Sequence, residues 1–81
     1  MKNEMTLETM EPTARSATRE ALRGKAVTDE MWKNVVLGSG YEGEYGVFEL
    51  YIPGERPRDA KVIARAKVHR VTGKVNVEVF V

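Results

Sequence analysis

The sequence predicts an α+β domain in the order αβββ. An N-terminal helix, with a short second helix, packs on a three- to four-stranded antiparallel meander. Residues 59–81 carry two alternating runs, Val62/Ala64/Ala66/Val68 and Val75/Val77/Val79/Val81, around a Thr72-Gly73 turn signal. Tyr45–Ile52 alternates likewise, with Phe48, Leu50 and Ile52 on one face and Tyr45, Val47, Glu49 and Tyr51 on the other. Thr13–Arg23 instead is rich in Ala, Arg and Glu and collects Ala14, Ala17 and Ala21 on one helical face, flanked by Met10 and Leu22.

The C-terminal hairpin is the most constrained element. Its even-numbered inward set must meet an odd-numbered inward set, so paired residue numbers sum to an odd value. A four-residue loop Val71–Lys74 sets Arg70 against Val75, Val68 against Val77, Ala66 against Val79 and Ala64 against Val81. Lys67 then faces Glu78 on the other surface. In this alternation Ile63 points outward with Lys61 and Arg65.

Residues 1–81 form a single small domain, with 1–9 unpatterned and expected to fray. An apolar fraction of 42% and a charged fraction of 31% suit a folded soluble chain. A net charge of +1 gives no global attraction to nucleic acid or anionic lipid. No cysteine is present, so disulfides and thiolate metal sites are excluded, and His69 is the sole histidine. No apolar run marks a signal peptide or a membrane span, and a cytoplasmic location is expected.

Glu11-Pro12 suits the entry to the first helix, and Gly24 suits its end. Arg15, Arg19 and Arg23 line the solvent side, where Glu11 and Glu20 offset their repulsion. Thr28-Asp29-Glu30 starts a second helix, with Met31, Trp32, Val35 and Val36 at helical spacing and Gly38 as its stop. Val-Val-Leu is also β-prone, so Asn34–Leu37 is open between helix and strand. Trp32 reads as a core plug. Gly38–Gly46 reads as a flexible loop, and Pro53–Asp59 as a long hairpin connection.

The loop contains G-x-G-x-x-G at Gly38, Gly40 and Gly43, and Leu37–Gly43 resembles the glycine-rich nucleotide loop of protein kinases. Tyr45 stands where that pattern has valine, no H-R-D or D-F-G segment occurs, and a strand rather than a helix follows. Ser39, His69 and Asp59 or Asp29 supply the residue types of a Ser–His–acid site, and no nucleophile-elbow pattern accompanies them. Glu42, Glu44 and Glu49 show no pairing that would split their acidities. Neither an enzyme, a cofactor nor a metal is expected. In outline the arrangement resembles cystatin-like small α+β folds, a likeness of shape that implies no function.

The outward sheet face is the more informative surface. Tyr45, Tyr51, Arg65, Lys67, His69 and Phe80 are the candidate binding residues there, beside Lys61, Ile63 and Val47. So much outward apolar surface implies an interaction site, and the valine-rich terminal strand implies an open edge. A protein-interaction module of regulator, inhibitor or immunity type is expected, forming a homodimer or binding another protein. The alternative is a single-stranded nucleic-acid binder, since rings stack on bases and cations meet phosphates. The face resembles that of RNA-recognition modules, without their consensus segments or element order.

Overall fold

The first helix starts at a threonine well ahead of the expected position. In the computed structural model, which describes residues 4–25 and 27–81, α1 spans Leu7–Leu22. The Thr6 side chain caps it, accepting the Thr9 N–H at 3.3 Å, and Glu8 lies in the first turn. Pro12 therefore falls inside the helix rather than at its start. Its ring removes one N–H near the helix entry, a loss confined to the Glu8 carbonyl. Met10, Ala14, Thr18 and Leu22 form the buried face at strict four-residue spacing, with Ala17 and Ala21 half-buried beside it. Thr18 is polar yet buried, because its hydroxyl donates to the Ala14 and Arg15 carbonyls at 2.9 and 3.0 Å.

Of the stretch 1–9 expected to fray, residues 4–6 are strapped down by Arg70, 7–9 are helix, and 1–3 lie outside the described residues. Met5 N–H donates to the Arg70 carbonyl at 2.8 Å, and the Arg70 guanidinium returns a bond to the Met5 carbonyl at 3.2 Å. That guanidinium also pairs with Glu4 at 3.0 Å and lies 4.4 Å from the Tyr41 ring centre. The Tyr41 hydroxyl accepts from Leu7 N–H at 3.0 Å.

α2 is short, Asp29–Asn34, capped by the Thr28 hydroxyl 3.1 Å from Met31 N. The sheet follows as β1 (Val36–Glu42), β2 (Tyr45–Ile52), β3 (Lys61–His69) and β4 (Val75–Val79), an antiparallel meander in the order β1-β2-β3-β4. The expected loop Gly38–Gly46 is thus mostly a strand, and the helix predicted to run to Gly38 stops at Asn34. Glycine hid the alternation: Gly38 and Gly40 occupy the positions facing Glu49 and Val47. A Cβ at Gly38 would lie 3.2 Å from the Tyr51 ring, which rests over this strand. The β1–β2 turn is Gly43-Glu44, with Gly43 at φ 58°.

In the β3–β4 hairpin Val68 faces Val75, Ala66 faces Val77 and Ala64 faces Val79. This is two residues from the predicted register, so every side chain keeps its face but gains a new neighbour. The cause is the turn. His69 and Lys74 close the loop through a 2.8 Å N–H···O bond, Gly73 N–H bonds the His69 carbonyl at 2.9 Å, and Gly73 takes φ 76°. His69 Nδ1 lies 3.2 Å from both Val71 N and Thr72 N, so the imidazole accepts from the turn backbone. The predicted Lys67–Glu78 pair is replaced by Arg65 opposite Glu78.

A bulge changes the inward set. Leu50 pairs with Ala64 but Tyr51 pairs with Val62, leaving Ile63 as the extra residue. Ile63 and Ala64 are both buried beneath the helices, whereas Val62 moves to the outer face beside Tyr51. The expectations of Val62 inward and Ile63 outward are corrected accordingly. Burying Ile63 contributes about 1.5–3 kcal/mol, enough to offset a local break in the ladder.

The core lies in one layer between helices and sheet. Met10, Ala14, Phe48, Ala66 and Val68 form one cluster, and Leu22, Leu50, Ile63 and Ala64 the other. Trp32, Met31 and Val35 pack half-buried against the second, which fits the plug expected of Trp32. No described helix is long and apolar enough to cross a membrane.

Candidate interaction surface

The face of the sheet turned away from α1 is set by strand alternation. Tyr45 pairs with His69, Val47 with Lys67, Glu49 with Arg65, and Tyr51 with Val62. The register thereby brings Tyr45, Tyr51, Arg65, Lys67 and His69 to one face, and Phe80 joins them beside Arg65. The Tyr45 and His69 rings meet edge to face, 5.2 Å apart at 87°. The Arg65 guanidinium lies 5.4 Å from the Phe80 ring centre. Two residues expected on this face are elsewhere: Ile63 is in the core, and Lys61 pairs with Ile52 past the bulge, out of alternation with the face.

Alternation already puts Glu49 and Glu78 on this face; the structure adds which cation each acid meets, and brings in Glu42 and Glu44. Arg65 Nη2 lies 2.7 Å, and Nε 2.9 Å, from Glu49 Oε2. Lys67 pairs with Glu42 at 3.4 Å and His69 with Glu44 at 3.2 Å. The hydrogen bond that Arg65 donates to Glu49, and then the Glu49 charge, raise the Arg65 pKa above its ordinary value; burial opposes this, and Glu78 and Glu42 add to the rise. Arg65 and Lys67 are thus matched by acids, Glu49 on the adjacent β2 and Glu42 on β1 two strands away, and the His69 ring lies against Glu44 of the β1–β2 turn. Alternation gives the face of Glu49 and Glu78, and the cross-strand register sets them on either side of Arg65.

Beside these groups the connector after β2 builds a wall. Pro57–Asp59 forms a short 3₁₀ turn, α-like in shape but tighter, and Arg56 Nε donates to Asp59 at 3.1 Å. Between this wall and Tyr51 and Val62 lies an open, mainly apolar cleft of about 560 Å³, with Glu49, Glu55 and Arg56 at its lining. The bulge makes the cleft, since it is what turns Val62 outward.

The other motifs are not assembled. Gly38 and Gly40 sit in β1 rather than in a loop before a helix, so no phosphate cradle of backbone N–H groups forms there. Ser39 alternates onto the helix side opposite Phe48, while His69 is on the outer face. Among the described residues no three His, Asp or Glu side chains converge as metal ligands would. Compared with protein-family models, with curated proteins and with solved structures, the chain finds no match.

Proposed function

We propose that the chain is a non-enzymatic protein-interaction module, of regulator, inhibitor or immunity type. It acts by covering a partner's surface with its outer sheet face and its β4 edge. The partner is a second copy of the chain or another protein, met in the cytoplasm, where a chain without cysteine is at home. One observation carries the reading. Among the described residues both helices pack on the same side of the sheet, leaving Tyr45 at 39% and Phe80 at 45% exposure on the other, with Val36 at 39%. Exposed rings and valine on a face whose central charges are already paired suit a protein interface better than a solvated surface.

A single-stranded nucleic acid is less well served. Arg65 and Lys67, the cations that would meet phosphates, already face Glu42, Glu49 and Glu78, and these carboxylates with Glu44 repel a polyanion.

The test is a photo-crosslinking side chain placed at Val47, in the middle of the outer face, with Lys33 on α2 as control position. Capture of a defined protein at Val47, lost in the Tyr45→Ala/Phe80→Ala double variant, is expected. A Val47 probe that captures no more than the Lys33 probe would overturn the reading.

A further inference from the structure

We infer that two copies of the chain join along β4, antiparallel about a two-fold axis at Val77, into one continuous eight-stranded sheet. The inference rests on the interaction-module reading and adds the partner and the register.

The hydrogen bonds that close the β3–β4 hairpin decide which backbone groups are free. His69 N–H bonds the Lys74 carbonyl, and Phe80 N–H bonds the Ile63 carbonyl. In an antiparallel ladder bonding alternates, so Lys74, Asn76, Glu78 and Phe80 turn their peptide groups toward β3. Val75, Val77 and Val79 turn theirs to the open side. The strand offering these groups has no proline, no bulge and no charge on its inner face, so its only protections against edge pairing are its five-residue length and Glu78 on the outer face. The opposite edge, β1, is a poorer template because Gly38 and Gly40 weaken it.

β4 is complementary to itself in one register. With Val77 on the axis, Val75 meets Val79 of the second copy on the helix side, and Asn76 meets Glu78 on the outer side. Lys74 meets Phe80, and no like charges face one another. All the free peptide groups are used, on the order of six hydrogen bonds between the copies. Sliding the pairing two residues one way sets Glu78 against its own counterpart. Sliding it the other way runs the strand into the turn at Gly73, where φ is 76°.

The helix layer leaves room for this. An open hollow of about 610 Å³ runs beside the edge between α1 and Val75, lined by Pro12, Thr13, Ser16, Ala17 and Glu20. The two-fold sets this hollow against its own copy, and its small side chains let the two α1 helices approach. The joined edge is thus continued by a second contact on the layer above.

The experiment uses the full chain, whose lack of cysteine makes single-cysteine probes specific. Light scattering at high micromolar concentration is expected to give a dimer. Val77→Cys is expected to form a disulfide-linked dimer under mild oxidation, because the axis brings the two positions face to face within disulfide range. Val36→Cys, on β1, is expected to stay unlinked. Val77→Pro removes an N–H that β3 does not use, so a folded monomer is expected. Asn76→Glu, which leaves the backbone alone, sets Glu against Glu78 and is expected to weaken the dimer about fivefold to tenfold at low salt. Exchanging the two residues, Asn76→Glu with Glu78→Asn, is expected to restore it. A dimer that survives Val77→Pro and Asn76→Glu and does not crosslink at position 77 would leave the interaction reading standing and sink the β4 pairing. A wild-type monomer would sink the pairing too, while the outer-face reading is decided separately by the Val47 probe.

Discussion

Ile63 and Ala64 are neighbours in β3 and both are fully buried on the same side of the sheet. A regular strand cannot do this, since consecutive side chains point to opposite faces. The bulge opposite Leu50 lets the strand sink Ile63 beneath α1 and α2 while turning Val62 out toward Tyr51.

Ile63→Ala is therefore expected to cost about 2–5 kcal/mol in urea unfolding. Val62→Ala, on the outer face, is expected to cost under about 1 kcal/mol. Equal losses at the two positions would contradict the bulge.

His69 organises the last turn by accepting from Val71 and Thr72 at Nδ1, which requires its proton to be on Nε2, toward Glu44. Nitrogen chemical shifts are expected to show the Nε2–H tautomer. His69→Ala is expected to lose about 1 kcal/mol of stability, and His69→Asn to lose less, since its amide oxygen can still accept.

The pair Arg65–Glu49 is expected to respond to salt but not to alkali. Arg65 has its pKa raised in the fold, so its contribution is complete below the unfolded-state pKa and is lost only as pH climbs through the higher folded value. The stability difference between wild type and Arg65→Met should stay flat from pH 6 to 9 and shrink on adding salt, the mark of a half-exposed pair. A difference that changes steeply across that range would show that Arg65 is coupled to a group other than Glu49 that titrates there.

Oligonucleotide titration by fluorescence anisotropy is expected to give no saturable binding of single-stranded DNA or RNA at micromolar chain and low salt. Salt-sensitive binding abolished by Tyr51→Ala and Arg65→Ala would instead favour the nucleic-acid alternative.

The sequence reveals much of the second half of the fold and less of the first. Alternation over Tyr45–Ile52 and residues 61–81 identifies three strands and their faces, because valine and aromatic residues there keep a period of two. Of β1 it offers only the strand alternative for Asn34–Leu37, because beyond Leu37 glycine occupies the positions that would have shown the alternation. It misplaces the helix start, since a proline signals a first turn more often than a sixth position. A bulge is invisible to any fixed period, so Val62 and Ile63 exchange roles. The outer-face residues Tyr45, Tyr51, Arg65, Lys67, His69 and Phe80 were legible as a group from alternation alone. Their carboxylate partners depend on registers that pattern leaves free by two residues.

The seat of α1 is built largely from strands far downstream of it, β3 and β4, and Arg70 straps its leading turn. The helix leaves the ribosome before those strands, so it must wait, unseated and too weak to persist alone, until β3 and β4 have emerged. Assembly is thus decided late and all at once, and a premature stop before β4 yields a chain with a homeless helix rather than a smaller working domain.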